Sequence, residues 1–176
     1  NFDFGDSHVL SALVRRFIEA KDFQKKNVLL WGSGSPKREF IHVSDAAKSL
    51  IFLMEKYNEV EPINVGSGYD LSIKDLAHKI SKIVGYTGEI EWDKTKPDGV
   101  PRKLLDISKL NELGFKSVIG LDEGIKKTVE EFRDLKRKNS DIYSNNKHSK
   151  NSKNNANNKD VYNISHSNQI NKNYWY

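Results

Sequence analysis

The sequence predicts an α/β fold, because short apolar runs typical of strands alternate with longer segments whose apolar residues recur at helical spacing. Turns rich in glycine, proline and serine separate these segments, and 176 residues suffice for one domain with a core. Residues 139–176 hold five of the 29 basic and two of the 24 acidic residues, so charge is nearly balanced before them. This balance disfavours a nucleic-acid-binding surface.

The first predicted element is a helix over residues 7–20, whose apolar residues follow an i, i+3/i+4 stripe and for which Ser7 or Asp6 is the expected cap. A short buried strand is predicted at residues 27–31 because four of its five residues are apolar or aromatic.

A second strand is predicted at residues 40–43, where three of four residues favour an extended backbone. Ser44 is the expected cap of an amphipathic helix over residues 45–57. The apolar positions of that helix are Ala46, Ala47, Leu50, Ile51, Leu53 and Met54.

Residues 62–65 are predicted to form a strand that ends at the turn Gly66-Ser67-Gly68. This turn lacks a third glycine, so we interpret it as a strand-to-helix turn rather than a dinucleotide site. Ser72 then caps a predicted helix over residues 73–84, and Gly85 ends it.

The remaining elements are a strand at residues 89–92, a short helix over 107–113 stopped by Gly114, and a last helix from 121 to about 138. Residues 139–176 contain twelve asparagines among serines and lysines, a composition that buries too little apolar surface to fold. We therefore expect a folded domain at 1–138 and a disordered tail at 139–176.

Several classes of protein are disfavoured by what the sequence lacks. It has no cysteine, which excludes disulfides and cysteine-based zinc sites within these residues. No apolar run approaches the roughly 20 residues that span a bilayer. We interpret His42, in a predicted strand, and His78, in the middle of a predicted helix, as structural. No pair of histidines or carboxylates has convincing metal-ligand spacing, so we expect no metal site.

The most informative segment is W-G-S-G-S-P-K-R-E-F-I-H-V-S-D at residues 31–45. A glycine-rich turn followed by Lys37 and Arg38 and then by a helix start suits phosphate binding. From spacing alone, an ordinary charged surface loop is the alternative.

This segment resembles the signature W-G-x-G-x-P-x-R-E-F-x-H-V-x-D of the GDP-L-fucose synthases. Two further blocks resemble that family in the same order: N-F-D with S-H-V and L-V-R-R-F within residues 1–17, and K-P-D-G-V-P-R-K-L-L-D at 96–106. The resemblance covers about residues 1–135. Val100 stands where the family has threonine, and Ser11 where it has proline.

The resemblance implies the C-terminal, substrate-binding part of an extended short-chain dehydrogenase fold, with most of the cofactor domain missing. The implied enzyme epimerises and then reduces GDP-4-keto-6-deoxymannose, uses NADP(H) bound mainly by the missing N-terminal half, and is a cytoplasmic homodimer. The family's cofactor fingerprint, catalytic serine, Tyr-x-x-x-Lys pair and epimerase cysteine match no residues here. We therefore expect the isolated chain to be inactive.

The resemblance also implies roles for five residues. His8 is expected to act as the general acid of the epimerisation and to contact the cofactor, since an imidazole can give or take a proton near pH 7. Arg16, Arg38 and Lys103 (or Arg102) are expected to bind the GDP-sugar diphosphate. Trp31 is expected to stack on the substrate or to wall its site.

Three alternatives stay open at this point. The chain is also compatible with another nucleotide-sugar epimerase or dehydratase, or with a non-catalytic module that binds nucleotide-sugars. The third possibility is a scaffold or nucleic-acid-binding protein that acts through the asparagine- and lysine-rich tail. The tail has few aromatic residues among its charges and no predicted fold, which disfavours this possibility.

Overall fold

The computed structural model describes residue 2 and residues 8–150, with side chains described as far as Lys138. Strands and helices alternate through this region, as the sequence predicted. The elements are α1 (Val9–Asp22), β1 (Asn27–Trp31), β2 (Lys37–Glu39), α2 (Val43–Lys56), β3 (Asp70–Ser72), α3 (Ile73–Val84), β4 (Glu89–Asp93), β5 (Arg102–Lys103), α4 (Ser108–Glu112) and α5 (Leu121–Lys150).

The hydrophobic core lies where α1, α3 and α5 pack against one another. Val28 and Leu30, which alternate along β1, close this core from the side of the sheet. The helices contribute Leu13, Val14, Phe17, Ile18, Leu76, Ala77, Ile80, Val84, Ile125, Val129 and Phe132. The predicted apolar face of the last helix is therefore confirmed.

Helix α3 has the bounds that the sequence predicted, because both of its ends carry strong local signals. The Ser72 hydroxyl accepts a hydrogen bond from the Asp75 backbone N–H at 3.0 Å. At the other end Gly85 adopts φ +75°, a left-handed conformation that glycine takes at little cost.

Two small sheets position the rest of the chain. In the first, β1 and β4 are parallel, with Trp31 opposite Asp93 at the end of the pair. In the second, β2 is central, antiparallel to β3 and parallel to β5. The predicted strands at 27–31 and 89–92 are confirmed as β1 and β4.

The predicted strand at residues 40–43 is wrong. The strand is the charged segment just before it, because Lys37–Glu39 pairs with β3 and β5, which the sequence analysis did not predict. Helix α2 begins at Val43 rather than at residue 45, and the His42 Nδ1 atom, not Ser44, occupies the capping position by accepting from the Ser44 N–H.

The start of the first helix also differs from the prediction. Helix α1 begins at Val9 with His8 in the N-cap position, where its side chain makes no capping hydrogen bond. The predicted caps Ser7 and Asp6 lie outside the described residues.

Two apolar segments are less covered than the sequence predicted. Residues 62–65 form no strand in the described structure, since no described strand pairs with them. Leu50, Ile51 and Met54 of α2 are exposed. The sequence pattern predicts an element from the residues of that element alone. Strand pairing and side-chain burial also require a neighbouring element.

The last helix is longer than predicted. Helix α5 continues through Lys150 instead of ending near Lys138, in keeping with the low cost of extending a helix that is already nucleated. The rest of the predicted disordered tail, residues 151–176, lies outside the described residues. Among the helices that the structure describes, none is long and apolar enough to cross a membrane.

Candidate nucleotide-sugar site

Arg38 and Lys103 lie side by side in the second sheet, although they are far apart in the sequence. β5 runs parallel to β2 with Arg38 opposite Lys103. Adjacent strands are about 4.8 Å apart, and residues that pair across them point to the same face. The fold therefore brings together two of the cations that the sequence analysis selected.

A loop between β4 and β5 is fastened to the glycine-rich turn that precedes β2. The two carboxylate oxygens of Asp98 accept from the Ser33 N–H at 2.6 Å and from the Ser33 hydroxyl at 2.7 Å. Arg38 reaches the same loop, because a Cβ atom built on Gly99 would lie 3.9 Å from Arg38 Nη2. We call these bonds between Ser33 and Asp98 the clasp.

Trp31 lies on the solvent-facing side of β1, at the strand end from which this turn leaves. Its side chain is 38% exposed, so it belongs to the surface of the site and not to the core. The Lys96 ammonium of the clasped loop lies 5.7 Å from the ring centroid. The clasp therefore holds a further cation next to this aromatic face.

Arg16 approaches the same strand from α1. Its Nη1 donates to the Leu29 carbonyl oxygen at 3.2 Å, two residues before Trp31. Burial, and then the neighbouring Arg15, lower the pKa of Arg16 below its usual range, yet an arginine stays charged at neutral pH. A partly desolvated cation of this kind favours an anionic neighbour.

The structure separates the roles of Arg102 and Lys103, which the sequence analysis had left as alternatives. Arg102 Nε donates to Asp70 Oδ2 at 2.5 Å, across the second sheet. This hydrogen bond, followed by the charge of Arg102, lowers the pKa of Asp70 despite the opposing effect of desolvation. Lys103, rather than Arg102, lies opposite Arg38 in the register of β2 and β5, so Lys103 is the better candidate to bind an anion together with Arg38.

Glu39 organises the site and was missed by sequence reasoning. Its two carboxylate oxygens accept from the Gly68 N–H at 2.5 Å and from the Leu105 N–H at 3.1 Å. A Cβ atom on Gly66 would lie 2.5 Å from Glu39 Oε1, so only glycine allows this approach. The sequence signal for this role was an acidic residue next to Arg38. The same pattern is equally typical of an exposed ion pair.

His8 is exposed at the start of α1, eight positions before Arg16 on the same helix. At 1.5 Å per residue the two lie roughly 12 Å apart along the helix axis. Its predicted role as acid and cofactor contact stays a prediction.

Two further histidines with described side chains, His42 and His78, make no contact that points to catalysis. His42 makes a local bond at the start of α2, as expected, and His78 is exposed on α3. Among the residues that the structure describes, no three His, Asp or Glu side chains are grouped so as to hold a metal ion.

Comparisons with known proteins place this site in a family. A family model for the NAD dependent epimerase/dehydratase family matches residues 1–66. The chain is 51% identical over 130 residues to the probable GDP-L-fucose synthase 1 of Oryza sativa subsp. japonica, which covers 74% of this chain. The family-model match assigns residues 1–66 to the NAD dependent epimerase/dehydratase family.

Further relatives agree with this assignment. The GDP-L-fucose synthase of Escherichia coli (strain K12) is 46% identical over 141 residues, 75% of this chain. A crystal structure of a GDP-L-fucose synthetase from Naegleria fowleri bound to NADP superimposes with a TM-score of 0.72 at 29% identity, over 78% of this chain and 43% of that one. The chain spans only 40% of the rice relative and 44% of the Escherichia coli relative.

The family name implies a dinucleotide, whose diphosphate would need backbone N–H groups to bind it. Glycine-rich turns bind phosphates through free backbone N–H groups. In both Gly-Ser-Gly turns of this chain an internal carboxylate already takes such a group: Asp98 binds the Ser33 N–H, and Glu39 binds the Gly68 N–H. Neither turn fits a dinucleotide diphosphate.

Loss of the clasp should loosen the loop without unfolding the core. We expect Asp98→Ala to speed tryptic cleavage after Lys94 severalfold at pH 7, with little change in melting temperature, because the clasp lies at the surface. Asp22→Ala, which removes an exposed carboxylate at the end of α1, is the control and should leave this cleavage unchanged. Equal cleavage of Asp98→Ala and the unmodified chain would show that the clasp does not hold the loop.

The same contact predicts a pH dependence. The Ser33 hydroxyl and then the Ser33 N–H lower the pKa of Asp98 from its ordinary value of 3.8. A carboxyl group with a lowered pKa contributes fully above its ordinary value and loses that contribution as the pH falls through the lowered one. Protection of the loop should therefore be constant at neutral pH and disappear only in acid.

Proposed function

We propose that this chain is the nucleotide-sugar-binding part of a GDP-L-fucose synthase. Such an enzyme converts GDP-4-keto-6-deoxymannose to GDP-L-fucose by epimerisation at C3 and C5, followed by NADPH-dependent reduction at C4. The single observation that carries the proposal is the pairing of Arg38 with Lys103 beside the clasped loop. Relatives named GDP-L-fucose synthase at 51% and 46% identity support it.

The diphosphate would lie between Arg38 and Lys103. A guanidinium group can give two parallel hydrogen bonds to a phosphate, and an ammonium group adds a compact positive charge. Arg16 adds a third, partly desolvated cation on the β1 side, and Trp31 offers an exposed aromatic face to a base or sugar.

His8 is proposed as the acid of the epimerisation. Inverting a carbon next to a ketone requires removal of a proton from one face and its return on the other. An exposed imidazole at the start of α1 can supply that second proton at neutral pH. The relatives contain further polypeptide, which would supply the base for the first proton and most of the site for NADP(H). Both Gly-Ser-Gly turns of this chain already bind an internal carboxylate, so neither fits the dinucleotide diphosphate. We expect the complete enzyme to act as a cytoplasmic homodimer.

The proposal can be tested with a fusion of this chain to the part of the rice relative that precedes its aligned 130 residues. We expect the fusion to oxidise NADPH when given GDP-4-keto-6-deoxymannose, and the chain alone to do so no faster than buffer. In the fusion, His8→Asn should slow exchange of the C3 and C5 hydrogens with deuterated water at least severalfold.

His78→Asn is the matched control, because this exposed histidine of α3 carries no proposed role. It should leave the exchange and the NADPH oxidation unchanged. Normal exchange in the His8→Asn fusion would remove the assignment of His8. A folded fusion that neither binds nor converts the GDP-sugar would refute the proposed function.

A further inference from the structure

Two carboxylates hold strand β5 to the rest of the second sheet, one on each side of Lys103 along the chain. Asp70 binds the side chain of Arg102, the residue before Lys103. Glu39 Oε2 accepts from the backbone N–H of Leu105, two residues after Lys103, at 3.1 Å. Because β5 itself has two residues, these side-chain contacts add to a very short backbone pairing with β2.

The carboxylate of Glu39 is itself fixed in place. Its Oε1 accepts from the Gly68 N–H at 2.5 Å, and the Gly66 backbone passes so close that an added Cβ atom would lie 2.5 Å from the same oxygen. Hydrogen bonds from backbone amides to a carboxylate are charge-assisted and stronger than neutral ones. Glu39 therefore joins three segments: β2, the turn at residues 66–68 and the chain that follows β5.

Glu39 lies on the face of the second sheet that is opposite to the proposed phosphate site. Side chains alternate along a strand, so the neighbours Arg38 and Glu39 point to opposite faces. Lys103 pairs with Arg38 and shares its face. Asp70 pairs with Glu39 on the other face. Glu39 therefore acts on a diphosphate between Arg38 and Lys103 through its charge or through the position of the strands, and not by contact.

We propose that Glu39 is a positioning residue, which fastens β5 to β2 and thereby holds Lys103 beside Arg38 for the diphosphate. This inference rests on the proposed function, because it takes the diphosphate as the anion that the two cations bind. The charge of Glu39 and its positioning role have opposite consequences. A nearby carboxylate repels an anion, so charge alone predicts tighter binding when Glu39 is replaced by a neutral residue. Loss of the positioning contact predicts weaker binding.

Amide hydrogen exchange, followed by NMR on the full chain, tests the fastening without any nucleotide. The Lys37 N–H donates to the Pro101 carbonyl oxygen at 2.8 Å, at the end of β5 that lies away from Leu105. We expect Glu39→Ala to speed exchange of the Lys37 amide severalfold, while the amides of α3 exchange as before. An unchanged Lys37 amide would overturn the proposal, because β5 would then stay in place without Glu39.

Isothermal titration calorimetry with guanosine diphosphate tests the step from fastening to binding. Glu39→Ala should weaken binding about tenfold in the original chain and less than about twofold when Lys103 is already alanine, because the effect passes through Lys103. A general loss of stability would weaken binding equally in both backgrounds. Equal weakening in the two backgrounds, or tighter binding by Glu39→Ala, would therefore overturn the proposal.

Two further variants complete the test. Glu39→Gln keeps one oxygen that can accept an amide, so it should recover part of the affinity and part of the Lys37 protection, and it decides the matter if the alanine variant does not fold. Glu112→Ala removes an exposed carboxylate of α4 and should leave both readouts unchanged. Failure of the original chain to bind guanosine diphosphate would refute the proposed function, and exchange of the Lys37 amide would then decide by itself whether Glu39 fastens β5.

Discussion

Replacing Asp45 by alanine should lower the free energy of unfolding by about 3 kcal/mol. Asp45 is fully buried at the start of α2, and its Oδ2 accepts from the backbone N–H groups of Val118 at 2.9 Å and Ile119 at 2.7 Å. Alanine would leave both amides without an acceptor, and bonds to a carboxylate contribute more than neutral ones.

The measurement is chemical denaturation followed by circular dichroism, with two comparison variants. Asp45→Asn keeps one oxygen acceptor and should lose clearly less stability than the alanine variant. Asp122→Ala removes a carboxylate of the exposed ion pair with Lys79 and should cost less than about 1 kcal/mol. If Asp45→Ala were no worse than Asp122→Ala, the buried carboxylate would not be what joins α2 to residues 118–119.

Replacing Arg38 by alanine should weaken the binding of guanosine diphosphate to the full chain about 100-fold, equivalent to about 2.8 kcal/mol. This prediction rests on the proposed function. Arg38 adjoins both Lys103 and the clasped loop. Its loss removes the bidentate contact to the phosphate and one of the two paired positive charges. Isothermal titration calorimetry with guanosine diphosphate measures the change directly.

Two controls separate a specific contact from a general loss of positive charge. Arg137 on α5 has a side chain that is 76% exposed, and Arg137→Ala should leave the affinity within about twofold of the original. Lys103→Ala should weaken binding more than Arg102→Ala, because Lys103 is the residue that lies opposite Arg38. Equal losses in Arg38→Ala and Arg137→Ala would place the diphosphate elsewhere.

The parts of the fold that could be predicted from sequence are those with local signals. The serine cap and the C-terminal glycine of α3 are written in adjacent residues, and the alternation of β1 needs only its own side chains. β2 could not be predicted, because a Lys-Arg-Glu segment has no strand pattern of its own. It becomes a strand through partners at 70–72 and 102–103, whose pairing no local pattern encodes.

The residues of the candidate site also divide into those that the sequence predicted and those that it did not. Trp31, Arg38 and Lys103 were selected because motif blocks marked them, but their grouping depends on the register of β2 with β5. Glu39 and Asp98 were not selected as organising residues, since a carboxylate that accepts backbone N–H groups looks, in sequence, like any surface acid. Choosing Lys103 over Arg102 required the observed register of β2 with β5, which places Lys103 opposite Arg38.

The short strand β5 affects how much of the time the candidate site is fully assembled. It contributes two exposed residues, and among the described strands its backbone pairs with β2 alone. Segments with so few buried contacts open more often than the core, and their amides exchange hydrogen accordingly. The positive pair of Arg38 and Lys103 is therefore assembled on a strand pair that should open more readily than the core. An anion that bridges the two cations would itself hold that strand pair closed, so the bound molecule becomes part of the local structure.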